Sequence, residues 1–403
     1  MRYLPAVVLL ALSPAAADDA WRPPQVPAED LRAAAAASNR FGVDLLRVLG
    51  EGGGDVLVAP PSVLAAFAMT WAGAEGETAA QLARALRMDL PPERAHPALG
   101  ALLAAGQGAG DPTFAVANRL WGAGQDFRAD YLRRTREAYG ADLAPVDFRG
   151  DPEAARARIN GWVAERTRDR IKDLLPPGTI DGLTRLVLTN AVYFKGSWQA
   201  RFDAQATRDG PFTRADGGQV QARLMHQTLT APFHRGQGFA LVELPYAGGR
   251  FAMVLVAPDA HDGLPAVERA LTAEALATWL GAARTQQVQV VLPRLKLEAE
   301  VDLAPVLRAL GATDVFEPAR ADLSGMNGRV HDLHVTAARH KAFVEVNEEG
   351  TEAAAATGAV VGTRSAARPQ PAVVRCDRPF LFMIRDRETG LVWFLGRETD
   401  PGR

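Results

Sequence analysis

Asn190 interrupts the run Leu186-Val187-Leu188-Thr189-Asn190-Ala191-Val192-Tyr193-Phe194, which is otherwise apolar enough to be a strand covered on both faces. An amide buried there needs partners from elsewhere in the fold, so it marks a polar cluster inside a sheet. A second anomaly follows Ala342-Phe343-Val344-Glu345-Val346. That segment alternates as a strand does and then gives way to Asn347-Glu348-Glu349-Gly350-Thr351-Glu352-Ala353-Ala354-Ala355-Ala356-Thr357. Nothing from Glu348 to Thr357 is large and apolar, so this stretch is expected to be exposed and mobile. Read with period two, Thr351, Ala353, Ala355 and Thr357 form one small face, and Glu352, Ala354 and Ala356 the other. A strand so slim on one face would enter a tightly packed sheet without overpacking it, whereas a large charged residue there would not. The same composition also suits an alanine-rich helical turn or a linker.

Other chemistries find little footing. The chain has no G-x-S-x-G elbow, no H-E-x-x-H and no phosphate-cradling loop in a plausible context, so it is not read as an enzyme. His331 and His334 are spaced as a metal pair is, but without further ligands at recognisable spacing; they are read as ordinary histidines, and no metal or cofactor is expected. Cys376 is the only cysteine, which excludes an internal disulfide and a thiolate metal cage; in its apolar surroundings it reads as a buried small hydrophobe. A formal net charge of -2 with both signs interspersed leaves no footprint for nucleic acid or an anionic membrane. The one basic group, Arg128, Arg133, Arg134 and Arg136, is read as a solvated helix face.

The elements that must position these residues are legible in outline. Glu29 to Leu49 and Glu77 to Met88 repeat apolar residues at helical spacing. Asp151-Pro152-Glu153 opens a further helix with a capping side chain and a proline in the first turn, and Ile159, Trp162 and Val163 share a face that should lie on something flat and apolar. Phe114 to Trp121 reads as a companion strand to Leu186–Phe194, and Phe239 to Pro245, Arg250 to Ala257 and Val288 to Leu297 as later strands. Early helices and late strands argue for an α+β fold with large mixed or antiparallel sheets. No Pro/Gly/Ser linker is long enough to divide the chain, so residues 18–403 are read as one domain. Residues 1–17 have a short charged start, an apolar run from Leu4 to Leu12 and a small-residue site ending at Ala17. They are read as a secretory signal peptide, and nothing after them is long and apolar enough to hold the protein in a membrane.

Along nearly its whole length the chain resembles the serpin family. The resemblance rests on Asn190-Ala191-Val192-Tyr193-Phe194-Lys195-Gly196-Ser197-Trp198, on the segment from His340 to Thr357, on Asp377-Arg378-Pro379-Phe380-Leu381-Phe382 and on Phe394-Leu395-Gly396-Arg397. It implies a metastable fold of three β-sheets and eight or nine helices, with an exposed reactive-centre loop, here about 350–371, offered to a protease as a pseudo-substrate. Insertion of that loop into the main sheet after cleavage is known family behaviour and is expected here by resemblance alone. Inhibitory members look like this chain at the hinge, with Gly350, then Thr351 as the first inward residue, then the small residues that follow.

Counting from the hinge glycine as the family pattern does puts the scissile bond at Arg364-Ser365. An arginine there suits proteases whose primary pocket holds a carboxylate, the trypsin-like class. Arg368 competes as bait, but Pro369 follows it and obstructs most serine proteases. The resemblance also suggests His340 and Ser62 as partners of Asn190, and Trp198 as a neighbour of the point where insertion begins, in a group that controls sheet opening. Where this chain has Ala59, the family usually has a serine. Arg87 to Gly110 supplies only two arginines, Arg87 and Arg94, and no lysine, so no polyanion cofactor is expected. The protein is accordingly expected to be a secreted monomer that forms a covalent complex with a trypsin-like serine protease. A non-inhibitory serpin, a chaperone or carrier whose loop is only a substrate, is the alternative.

Overall fold

The helical periods of the first half become α1 (Ala28–Gly50), α2 (Pro60–Trp71), α3 (Gly76–Ala85), α4 (Pro92–Gly106), α5 (Ala129–Tyr139) and α6 (Pro152–Arg166). The computed structural model describes residues 21–106, 111–123, 127–141, 143–351 and 370–402. α3 stops short of the expected Met88 because Arg87 takes a φ of 56°, outside the helical region. α6 opens as its sequence predicts: the Asp151 carboxylate accepts from the Ala154 N–H at 2.9 Å, with Pro152 in the first turn.

The strands form two hydrogen-bonded sheets. In the six-stranded one the order is β10 (Leu295–Asp302), β11 (Val335–Val346), β12 (Gly350–Thr351), β4 (Leu186–Ser197), β2 (Thr113–Ala123) and β3 (Ala144–Val146). The nine-stranded sheet runs β1 (Val56–Val58), β15 (Val392–Glu398), β14 (Phe380–Asp386), β8 (Phe251–Pro258), β7 (Phe239–Pro245), β6 (Gln219–Gly236), β9 (Arg284–Pro293) and β13 (Ala372–Arg375), with β5 (Arg208–Thr213) alongside β6. Three sheets were expected, and the second and third are continuous here. The 18-residue β6 pairs with β5 near its start and with β7 at its end, and so belongs to both layers.

Four shorter helices, α7 (Leu264–Ala270), α8 (Ala273–Ala282), α9 (Leu303–Ala309) and the single turn α10 (Ser324–Asn327), bring the described α-helices to ten rather than eight or nine. A further difference falls at Val288–Leu297, which is two strands and not one. The chain breaks at Arg294, whose N–H donates to the Arg223 carbonyl at 2.9 Å, and passes from the nine-stranded sheet into the six-stranded one.

α2 explains how the layers meet. Every residue from Pro60 to Trp71 is buried, because the helix lies between β2 and β4 on one side and β15 on the other. On the far face of the six-stranded sheet, α6 sets Ile159 and Val163, both fully buried, against Trp121 and Val187 and against Ala117 and Ala191. Ala337 of β11 joins the same cluster as Val187 of β4.

Candidate functional site: a seam in the six-stranded sheet

The site is the line where β4 meets β11. Over most of its length these strands pair directly and in parallel, from Leu186↔Val335 to Asn190↔His340 and Tyr193↔Phe343. Across the next boundary Asn190 lies opposite Asn118 of β2, so His340, Asn190 and Asn118 form one row over three strands. The buried N-terminal turn of α2 brings Ser62 to that row.

Every polar group in the row is satisfied. The Asn190 amide donates to Ser62 Oγ at 2.7 Å and to Asn118 Oδ1 at 2.8 Å, and Ser62 Oγ donates to Asn118 Oδ1 at 2.7 Å. The Asn118 amide returns a bond to the Ser62 carbonyl at 3.1 Å. His340 Nδ1 donates to Asn190 Oδ1, and Nε2 accepts from the Ala59 N–H at 3.3 Å. The missing serine at Ala59 therefore leaves no hole, because the backbone N–H supplies the donor. Of these bonds, His340 to Asn190 is the one that crosses from β11 to β4. It is a latch that any strand entering between them must break.

At the upper end the seam is already parted. Gly350 and Thr351 lie between the strands, with Thr351 paired to Val346 on one side and to Gly196 on the other. Thr351 is fully buried, and its hydroxyl and that of Tyr246 are 2.7 Å apart. Gly350 has a φ of 154°, and a Cβ on it would sit 2.1 Å from the Gly196 carbonyl oxygen, so only glycine fits. Trp198 stacks on Tyr246 with centroids 4.6 Å apart and donates its indole N–H to the Asn347 carbonyl at 2.9 Å. Glu348 is buried against Arg294, at 2.8 Å, and Thr207, at 2.6 Å. Burial would raise its pKa, but those bonds hold it below the usual carboxylate value.

A sheet that opens at one end to admit the first two residues of a small-residue tract, and is latched below, is built to take in a strand. The comparisons agree with that geometry. The model of the family described as Serpin (serine protease inhibitor) matches residues 36–401. The leukocyte elastase inhibitor of Equus caballus is 41% identical over 378 residues, covering 91% of this chain and 98% of that one. The chain belongs to the serpin family. Uncleaved ovalbumin superposes with a TM-score of 0.83 at 31% identity, covering 91% of this chain and 99% of that one. A cleaved, loop-inserted ovalbumin mutant does so with 0.81 at 29%, covering 91% and 100%.

Within this serpin the structure brings Ser62, Asn190 and His340 together and sets Trp198 apart. Trp198 lies about eight residues further along the chain from Asn190, roughly 26 Å at strand rise, at the parted end and not in the latch. Asn118 is the member of the cluster that sequence reasoning missed. Its signal was an asparagine in an apolar strand, and only the register of β2 against β4 reveals its partner. The expectation that the chain is exposed from Glu348 onward is corrected: Glu348 and Thr351 are buried, one by its bond to a distant arginine and the other by insertion. Glu352, Ala353, Ala354, Ala355, Ala356, Thr357, Arg364 and Ser365 lie outside the described residues, as do residues 1–17. Among the ordinary histidines, His331 Nδ1 is bonded to the Ala321 carbonyl at 3.0 Å.

The latch has a pH dependence whose sign follows from burial. His340 is held neutral, its pKa lowered to about 3 by desolvation despite the opposing effect of its bond to Asn190. A histidine with a lower pKa folded than unfolded takes its proton first in the unfolded chain. It is therefore neutral in effect above about pH 6.5, and costs stability increasingly as pH falls from there toward 3, on the order of 5 kcal/mol in all. The melting temperature of the wild type should exceed that of His340→Gln at about pH 7, and the gap should shrink steadily toward about pH 4. His96 and Glu398, with pKa values displaced to about 3 and about 8, are common to both proteins and drop out of the difference. A gap independent of pH would show that His340 is not the titrating group.

Proposed function

We propose that this serpin is a suicide inhibitor of trypsin-like serine proteases, cleaved at Arg364-Ser365 and trapping the enzyme by drawing residues 350–363 into the seam between β4 and β11. The observation that carries the reading is the entry of Gly350 and Thr351 into a seam that is closed immediately below them. The protease serine attacks the Arg364 carbonyl, the bond to Ser365 breaks, and the Ser365 amine leaves with the proton delivered by the protease histidine. The enzyme is then held as an ester on Arg364. About fourteen residues entering as a strand at roughly 3.3 Å each would carry it on the order of 50 Å down the sheet. Trapping requires that insertion outrun hydrolysis of the acyl-enzyme.

The choice of target separates this chain from its relative. The leukocyte elastase inhibitor is named for an elastase, whose small primary pocket does not accept an arginine, whereas a pocket floored by a carboxylate does. Residues 1–17 add export to the proposal, and with it a protease met outside the cytoplasm.

Mixing the protein with trypsin tests the whole reading. The expected result is a complex that survives boiling in detergent, with a released C-terminal peptide beginning at Ser365. Cleaved chain with no complex would mean a substrate and not an inhibitor, and a peptide beginning elsewhere would displace Arg364.

A further inference from the structure

At the foot of the seam, where the pairing of β4 and β11 begins at Leu186 and Val335, a cleft of about 590 Å³ opens. The loop after β3, the helix α6 and the turns that lead into β4 and β11 bound it. Val146, Phe148 and Leu333, all buried, line it together with Arg149, Arg158, Arg185, Arg329, Asp147 and Asp332. Four arginines against two aspartates leave an excess of two positive charges, in a chain whose formal net charge is -2. Like charges gathered in one place repel, so the excess calls for an explanation.

Both acids of the lining are already committed. Asp332 is paired with Arg329 at 2.9 Å and accepts from the Asn327 amide at 2.7 Å. Asp147 Oδ1 accepts from the backbone N–H groups of Arg149, at 3.1 Å, and Gly150, at 2.8 Å. Asp151, Glu153 and Asp181 stand close in sequence but outside the lining, and they bond the Ala154 N–H, Arg156 and the Thr184 hydroxyl. Arg149, Arg158 and Arg185 form no ion pair among the described residues. Two of them are held by neutral carbonyls alone: Arg158 by that of Pro145 at 3.3 Å, and Arg185 Nη1 by those of Leu183 and Thr184 at 3.0 and 3.1 Å. Such bonds set a guanidinium in place without neutralising it.

We propose that this cleft binds a small soluble anion with linked phosphate groups, met by Arg149, Arg158 and Arg185 from three separate parts of the chain. The planar fork of each guanidinium matches phosphate oxygens, and a multiply charged anion supplies counter-charge that a single carboxylate would leave incomplete. Buried apolar residues beside the arginines keep water from one side and strengthen the attraction. The volume is that of a small-ligand site. The segment from Arg87 to Gly110, from which no polyanion cofactor was expected, does not reach this cleft, and the site does not depend on the trapping of a protease.

The test is calorimetric titration of the full chain with sodium pyrophosphate, and separately with acetate, at constant ionic strength. Pyrophosphate should bind saturably with a Kd of about 0.1 mM, and acetate should not bind. Arg149→Gln should weaken pyrophosphate binding about tenfold, while its melting temperature in phosphate-free buffer is no lower than that of the wild type. Arg284→Gln removes the same charge from the other sheet, where Arg284 bonds only carbonyls, and should leave the affinity unchanged. No saturable binding of pyrophosphate, or equal weakening in the two variants, would overturn the site. Acetate binding as tightly would overturn the part given to linked phosphates. Vesicles of phosphatidic acid in phosphatidylcholine that bind more tightly than pyrophosphate, and lose that binding in Arg149→Gln, would overturn the soluble ligand in favour of a lipid headgroup.

Discussion

Thr351→Arg should convert the inhibitor into a substrate: trypsin will cleave the loop at the normal rate, and the detergent-stable complex will all but disappear. Thr351 is fully buried between β4 and β11 and meets the hydroxyl of Tyr246, itself fully buried. A guanidinium in that position has no carboxylate to meet and no water, which costs several kcal/mol. If about 3 kcal/mol of that cost falls on the transition state for insertion, the step slows by more than about 100-fold, and hydrolysis of the acyl-enzyme overtakes it. Thr351→Ser keeps the hydroxyl within reach of Tyr246 and should form complex as the wild type does. Counting moles of protein consumed per mole of trypsin inhibited measures the partition. A ratio for Thr351→Arg equal to that of the wild type would mean that insertion does not begin at this residue.

Arg364→Val should exchange one class of target for another. Without the guanidinium the carboxylate of a trypsin-like pocket is left buried and unpaired. Recognition sites built around such a partner reject residues that lack it by about 10^4-fold or more. The second-order rate of inhibition of trypsin should fall by at least about 10^3-fold, while inhibition of an elastase, whose pocket accepts a small aliphatic side chain, should rise. The hinge is untouched by this change, so any complex that forms should be as durable as before. The two substitutions thus separate the bait, which chooses the enzyme, from the hinge, which traps it. Inhibition of trypsin that survives Arg364→Val would place the reactive bond elsewhere in the loop.

What could be read from the chain alone depended on how local each signal was. Asn190 announced itself because an amide inside an apolar strand must be paired, and α6 because its cap, its proline and its apolar face are all written within a few residues. Asn118, which is only partly buried, did not. Its role follows from standing opposite Asn190, and register between strands is set by the whole sheet. Glu348 misled for a related reason. A glutamate among small residues reads as solvated, and its partner Arg294 stands far off in sequence at the break between β9 and β10. That same break hid the division of Val288–Leu297 into two strands, since the apolar pattern runs on through a single charged residue that turns the chain from one sheet to the other. The length of β6 is likewise visible only when its partners at both ends are known, which is why three expected sheets are two.

The account rests on the closed seam between β4 and β11 being able to part and take in the loop once it is cut. Calorimetry of the intact protein and of protein nicked at Arg364-Ser365 addresses this directly. If residues 350–363 enter as a strand bonded on both sides, even about 10 kcal/mol of added stability, at about 2 °C per kcal/mol for a large domain, raises the melting temperature by about 20 °C. A nicked protein that melts at or below the temperature of the intact one would contradict the account.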